Sequence, residues 1–188
     1  MVSKNGCFIV FEGIDGSGKS TQISLLKEHI EEHSINCMTT MEPSNGPIGT
    51  MLRQFLSGRI KGEETTLTAL FAADRLDHLN NPVNGIRKLL EDGIAVISDR
   101  YVFSNYAYQS VSVPLEWIMK CNEMANEIVR PDCHIFIDVA PETAMDRVSK
   151  GRHQTDIYET LDRLTDVRER YLDLIHRMED VENIIIID

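Results

Sequence analysis

Gly13-Ile14-Asp15-Gly16-Ser17-Gly18-Lys19-Ser20 has the Gly-x-x-x-x-Gly-Lys-Ser pattern of a loop that cradles phosphate. Glycines let successive backbone N–H groups turn inward onto phosphate oxygens, and a helix beginning at the end of the loop adds its unpaired N–H groups and the positive end of its dipole. In such a loop Lys19 reaches the β- and γ-phosphates, and the Ser20 hydroxyl ligates Mg²⁺. The run from Gly13 to Thr21 is therefore the expected nucleotide-contacting set. The motif is meaningful only between a strand and a helix. Cys7 to Phe11 reads as a buried strand entering it, and Ile23, Leu26 and Ile30 follow at helical spacing. The implied ligand is a nucleoside triphosphate.

A second constellation begins at Asp99, which closes the apolar run Ile94 to Ile97 and its Ser98. A carboxylate at a strand end, in a chain with a phosphate loop, stands where such folds place a group near Mg²⁺. Arg100 follows at once and puts a cation beside the same crevice. Elsewhere such a pair is commonly a surface ion pair; its place at the end of a buried strand favours the functional reading. From Tyr101 to Gln109 the chain mixes aromatic rings with neutral hydrogen-bonding groups. That mixture suits a nucleobase and a sugar, and it equally suits a partly buried aromatic helix start.

Apolar runs alternate with helical periods along the chain. Strands are expected at 7–11, 36–41, 94–97, 133–139 and 184–187. Helices are expected at 19–33, 48–57, 65–91, 114–129 and 158–179, with another opened by Pro141. Glu42-Pro43-Ser44-Asn45-Gly46-Pro47 must be a loop, since its prolines and glycine break any regular element. The alternation predicts an α/β fold: a five-stranded parallel sheet with helices on both faces and its ligands at the carboxyl ends of the strands. With 188 residues and no linker or repeat, the chain reads as one domain, 1–188.

The net charge of −11, from 30 acidic and 19 basic residues, argues against a nucleic-acid polymer as ligand. It leaves room for a mononucleotide, which a few well-placed cations can hold. The four cysteines lack Cys-x-x-Cys spacing and mostly sit in or beside apolar runs, so they read as buried thiols of a reducing cytosol rather than metal ligands or disulfides. The six histidines form no spaced metal cluster and read mostly as surface residues. No apolar run approaches the ~20 residues of a membrane span, and charged Glu12 comes too soon for a signal peptide. A cytoplasmic protein without a membrane partner is the expectation.

Several stretches together resemble the thymidylate kinases: Phe11 to Gln22, the Glu42-Pro43 loop, Leu70-Phe71-Ala72-Ala73-Asp74-Arg75, Asp99-Arg100-Tyr101 with Ala107-Tyr108-Gln109, Arg130-Pro131-Asp132, and Asp156-Ile157-Tyr158-Glu159. The phosphate loop alone is generic; the joint pattern is specific to this family among nucleoside monophosphate kinases. The resemblance implies transfer of the γ-phosphoryl group of ATP to dTMP, with Mg²⁺, in dTTP synthesis. It implies that Phe71 stacks on thymine and that Arg75 hydrogen-bonds its O4. Ser104, Asn105 and Gln109 would line the base edge, and Tyr108 would lie against the deoxyribose and crowd out a 2′-hydroxyl. Asp15 would contact the acceptor's 3′-hydroxyl, and Arg100, with Arg53, would hold its phosphate. By position alone Phe71 is by default a core residue and Arg53 a solvated one.

Some phosphate loops of the family carry arginine after the acidic residue, where this chain has Gly16. The resemblance therefore assigns the missing catalytic charge to the short lid at about 147–158, with Arg152 and Arg147 as candidates beside Lys19, Asp15 and Arg100. Glu12 would either orient Mg²⁺ waters or organise the loop through hydrogen bonds. Relatives are symmetric dimers, so a homodimer is expected. Relatives also usually continue past the last strand into a further helix, which is missing after Asp188; the exposed apolar sheet surface this implies is costly unless covered. Two other readings share the motif. A deoxynucleoside kinase would need a carboxylate poised to deprotonate a 5′-hydroxyl, and a nucleotide-dependent switch or sensor would order a loop without turnover.

Overall fold

In the computed structural model, residues 5–151, 157, 158 and 160–188 are described. Five strands form one sheet: β1 (Phe8–Glu12), β2 (Cys37–Met41), β3 (Ala95–Asp99), β4 (Cys133–Ile137) and β5 (Ile184–Ile187). Their order is β2-β3-β1-β4-β5, and every pairing is parallel. The helices are α1 (Lys19–Glu32), α2 (Pro47–Leu56), α3 (Glu64–Asn80), α4 (Ile86–Glu91), α5 (Val102–Gln109), α6 (Leu115–Ile128), α7 (Pro141–Gly151) and α8 (Leu161–Met178). The expected five-stranded parallel sheet covered on both faces is the one that forms.

Alternation along the central strands builds two cores. Phe8, Val10, Val96 and Phe136 face the larger one, where α3, α5, α6 and α8 contribute Leu67, Tyr106, Ile118 and Tyr171. Phe11, Ala95, Ile97 and Ile137 face the other, closed by Ile23 of α1. The central strands β1, β3 and β4 bury residues on both faces, which is why these segments read as nearly continuous apolar runs, while the edge strands β2 and β5 are largely exposed. Strand β1 lies centrally, with β3 and β4 on its two sides, so the loops after β1 and β3 leave the same edge of the sheet together. That crevice beyond the strand carboxyl ends is where this architecture places ligands.

The helix expected over 65–91 is two helices. It breaks after Asn80 because Pro82 has no N–H to donate, and Asn81 Oδ1 instead accepts from the backbone N–H groups of Val83 at 2.9 Å and Asn84 at 3.4 Å. The segment after Arg100 is a helix, α5, all eight of whose residues are buried. Two expectations about single residues also change. Cys7 is exposed rather than buried, and His134 is buried in the core, stacked on Phe103 at 4.3 Å. Burial drives the His134 imidazole down to about 4, so it is neutral at pH 7.

Candidate active site

The phosphate loop runs from β1 into α1. No side chain caps α1 and its first turn contains no acidic residue, so its N–H groups stay free for an anion. Gly16 has a φ of +81°, and a Cβ there would lie 2.3 Å from the backbone oxygen of Ala144 in α7. The first turn of α7 thus rests directly on the loop, and only glycine fits between them. Arg147, one α7 turn beyond Ala144, donates to the carbonyls of Gly16 and Ser17, each at 3.3 Å. Lys19 is buried and curls back into the loop, donating to the carbonyls of Gly13 at 3.1 Å and Ile14 at 3.0 Å. Burial, then the neighbouring Arg100 charge, pulls its ammonium down to about 8 against the opposing pull of Asp99, Asp15 and Glu12.

A cavity of about 740 Å³ opens from this loop. Asp15, Gly16, Gly18, Lys19, Ser20 and Thr21 line one end. Gly13, Ile14 and Ser17 lie behind that wall and shape it through the loop backbone, with Ile14 and Ser17 buried. Ser20 Oγ donates to Asp99 Oδ2 at 3.1 Å, while the buried Oδ1 of Asp99 has no partner among the described residues. These are hard oxygen ligands at the phosphate end, one of them buried and unspent, and the pair fits Mg²⁺, which takes few protein ligands and completes its shell with water and phosphate. No cluster of three or more His, Cys, Asp or Glu side chains suited to a metal occurs among the described residues.

Arg100 sits at the middle of the cavity wall with a φ of +74°, a rare value for a residue with a side chain. Its guanidinium donates to Asp15 Oδ1 at 2.6 Å, Gly13 O at 3.1 Å, Ser104 Oγ at 3.0 Å and Tyr108 Oη at 3.1 Å. Glu12 underpins this corner. It is buried and accepts from the Tyr101 N–H at 3.0 Å, Ser104 Oγ at 2.5 Å and Tyr171 Oη at 3.0 Å. Burial raises its carboxyl above the usual range despite those donors. Of the two roles open to Glu12, these bonds fit the organiser of the loop. Ser104 lines the cavity, but its hydroxyl is spent on Glu12, Arg100 and Tyr171.

The far end is built by α2, α3 and α5. Phe71 is half-buried, lines the cavity, and packs into neither apolar core among the described residues, so its ring is left for the cavity. Arg53 is not a solvated surface residue: its Nη1 donates to the carbonyls of Pro43 at 3.0 Å and Ser44 at 2.8 Å, fixing the 42–46 loop against the cavity. Asp74 holds the same loop from the other side through the Ser44 N–H and hydroxyl, both at 2.6 Å. Glu42 from that loop pairs with buried Arg75 at 2.6 Å. Asn105, Tyr108 and Gln109 line the wall one helical turn apart on α5, as the spacing of 104/105 and 108/109 requires. Among the lining positions expected from the sequence are the cations Lys19, Arg53, Arg75, Arg100 and Arg147, which turn one cleft of an acidic protein positive. Arg152 lies outside the described residues.

Asn122 and Glu64 were not singled out from the sequence, and Glu42 and Tyr158 entered only as members of longer stretches, with no role of their own. Arg75 donates through Nη1 to Asn122 Oδ1, and Asn122 Nδ2 donates to Asn105 Oδ1 at 2.8 Å. Asn105 Nδ2 donates to Gln109 Oε1 at 3.0 Å, Gln109 Nε2 to Tyr158 Oη at 3.1 Å, and Tyr158 Oη to Glu64 Oε2 at 2.9 Å. Glu64 and Arg75 share a helix and stand at helical spacing from Phe71, the one sequence signal that could have linked them.

A parallel sheet with a phosphate loop after β1, an Asp at the end of β3 and a cavity that runs from that loop to aromatic and amide side chains of α3 and α5 is the architecture of a P-loop nucleotide kinase. Residues 11–188 match the thymidylate kinase family, and the chain belongs to it. Relatives agree across most of their lengths. A thymidylate kinase of Symbiobacterium thermophilum is 40% identical, over 89% of this chain and 78% of the relative. Probable thymidylate kinases of Methanocaldococcus jannaschii and Thermococcus kodakarensis are 39% and 36% identical, over 96% and 94% of this chain and 86% and 92% of theirs. Among the described residues no helix is long and apolar enough to cross a membrane.

Proposed function

We propose that the protein transfers the γ-phosphoryl group of ATP to dTMP, giving dTDP and ADP, as a step in dTTP synthesis. One observation carries the reading: a single cavity joins the phosphate loop to an aromatic and amide-lined compartment, with Arg100 between them. ATP lies along Gly13 to Thr21, with Lys19 leaving its loop carbonyls for the β- and γ-phosphates. Phe71 stacks on thymine, Arg75, Asn105 and Gln109 meet its edge, and Tyr108 lies against the deoxyribose. Ser104 acts from behind, holding Arg100 and Glu12. Arg100 and Arg53 hold the acceptor phosphate, and Asp15 meets the 3′-hydroxyl.

An oxygen of the acceptor phosphate attacks the γ-phosphorus in line, a bond to that oxygen forms, and the bond to the β,γ-bridging oxygen breaks with its electrons leaving on ADP. The acceptor is already an anion, so no general base is required. The protein's task is to offset repulsion between two anionic nucleotides and to align them. Lys19, Arg100 and Arg147 supply positive charge around the transferred group, with Arg152 as the second lid candidate. Ser20 and Asp99 would hold Mg²⁺, which neutralises charge on the β- and γ-phosphate oxygens.

A nucleoside kinase is less well served. Glu12 is buried and committed to three donors, and Asp15 is held down to about 2, a poor base. The protein further reads as a cytoplasmic homodimer of one domain, 1–188, with a lid at about 147–158. Exposed Trp117, Met119 and Met124 on α6 offer apolar surface for a second copy.

The test is coupled ADP release with Mg-ATP and, in parallel, dTMP, dUMP, UMP, thymidine or no acceptor. Strong turnover with dTMP, weak turnover with UMP and none with thymidine is expected. Turnover with thymidine alone, or none with any acceptor despite tight ATP binding, overturns the reading.

A further inference from the structure

We propose that Asn122, working with Glu64, is a positioning residue for base selection: the two fix the direction of the hydrogen-bonded chain that presents Asn105 and Gln109 to the base. The proposal rests on the reading of this compartment as the thymine site. An asparagine or glutamine amide can face either way, because its oxygen accepts and its nitrogen donates. Here the ends remove the choice. The Arg75 guanidinium only donates, and the Glu64 carboxylate only accepts. Each link between them therefore points from Arg75 toward Glu64, through Asn122, Asn105, Gln109 and Tyr158.

The direction matters because Asn105 and Gln109 line the cavity while Asn122 is wholly buried behind them. Reversing the chain would exchange carbonyl and amino group at both lining amides. The base would then meet donor and acceptor exchanged. With Arg75 at O4, these amides meet the neighbouring N3, a donor in thymine and an acceptor in cytosine, so direction becomes selectivity. A site built to pair a polar edge rejects its mismatch strongly, since the mismatch leaves buried groups unpaired.

Asn122→Asp tests the direction. The introduced carboxylate still accepts from Arg75 but cannot donate to Asn105, which must turn its nitrogen inward, nor to the Ile118 carbonyl that Nδ2 also serves at 2.8 Å, a loss that lowers stability equally in the single and double variants. Gln109 turns in response, and its oxygen and the Glu64 carboxylate then compete for the one Tyr158 hydroxyl hydrogen. Glu64→Gln supplies the missing donor. The introduced amide donates to Tyr158, Tyr158 to Gln109, Gln109 to Asn105, and Asn105 to the carboxylate that N122D places on α6. The double variant completes a reversed chain that neither single variant can make.

For N122D, KM for dTMP is expected to rise about tenfold, with kcat and KM for ATP within about twofold and the preference for dTMP over dCMP reduced about tenfold. E64Q alone is expected to change KM for dTMP by less than about threefold, because a glutamine can still accept from Tyr158. In N122D/E64Q, KM for dTMP falls to within about threefold of E64Q, while the preference for dTMP over dCMP stays low because the chain remains reversed. Additive effects of the two changes, or a dTMP preference unmoved in N122D, overturn the proposal. Tyr158→Phe cuts the chain at its far end and covers the case in which N122D does not fold. It is expected to lower the dTMP-to-dCMP preference about threefold, and a loss of melting temperature and kcat with that preference intact marks a purely structural role. Absence of dTMP turnover in the wild-type enzyme would instead remove the underlying thymine-site reading.

Discussion

Arg100 and Asp15 form a closed pair across the mouth of the phosphate loop: Nη2 donates to Oδ1 at 2.6 Å, and Tyr108 Oη donates to the second carboxylate oxygen at 2.8 Å. The partners come from the loop after β1 and the turn after β3, so the pair ties together the two segments that must face each other for phosphoryl transfer. Burial raises the Asp15 carboxyl, but Arg100, Lys19 and the Tyr108 hydroxyl outweigh it and hold the group at about 2, below its ordinary 3.8. Because the folded value is the lower one, the stabilisation is complete above about pH 4 and is lost as the pH falls toward 2. Asp15→Asn is expected to remove on the order of 1–2 kcal/mol at neutral pH and to flatten stability over that acid window. Urea titrations from pH 2 to 7 check it; parallel curves for variant and wild type refute it.

Lys19 titrates in the same sense at the alkaline end of the scale. Its folded value of about 8 lies below the ordinary 10.5, so between those values the unfolded chain binds more protons and the group favours folding increasingly as pH rises. Bound phosphates return the ammonium to its charged form. ATP binding at about pH 9 is therefore expected to take up a large fraction of one proton. Calorimetry in buffers of differing ionisation enthalpy reads this directly. Lys19→Met should abolish the buffer dependence, and Lys19→Ala should lower kcat by on the order of 10²–10³.

Phe71 separates binding from folding. Since its ring belongs to neither apolar core, Phe71→Ala is expected to raise KM for dTMP about tenfold or more while the melting temperature stays nearly constant. Steady-state kinetics with a thermal melt decides it. A melting loss as large as those of core deletions would return Phe71 to the core.

Gly16→Ala should be costly out of proportion to one methyl group. The φ of +81° and the Ala144 oxygen 2.3 Å from the added carbon oppose it together, and about 2 kcal/mol or more is the expected loss. For a chain of this size that is a fall of roughly 4–8 °C in melting temperature. A parallel rise in KM for ATP would report the displaced α7.

The sequence carried most of the sheet and the phosphate end of the site, because those are written in contiguous residues: an apolar strand, a glycine loop, an acid closing β3. Asp99 and Arg100 were readable for the same reason. The base end was legible only through family likeness, since Phe71, Asn105 and Gln109 sit on helices whose packing no local pattern specifies. Asn122 was missed altogether. It lies inside α6 among ordinary helical residues, and what it does depends on two side chains from other helices. The break at Pro82 was a local signal overridden by the long apolar period around it. Arg53 looked solvated because the carbonyls that engage it belong to a loop folded back by Asp74.

Glu64, Phe71 and Arg75 occupy one face of α3, seven and eleven residues apart, and thus span roughly 16 Å at ~1.5 Å per residue. One rigid rod therefore carries the ring proposed to stack on the base and both terminals of the directed chain. A tilt or slide of that rod moves ring, donor and acceptor as a body. Their mutual spacing is preserved, but their distances from Asn105 and Gln109 on α5 and from Lys19 are not. In the proposed site, base discrimination and reach to the phosphate are thus geared together through the docking of one helix, so that neither is adjusted by moving α3 without the other.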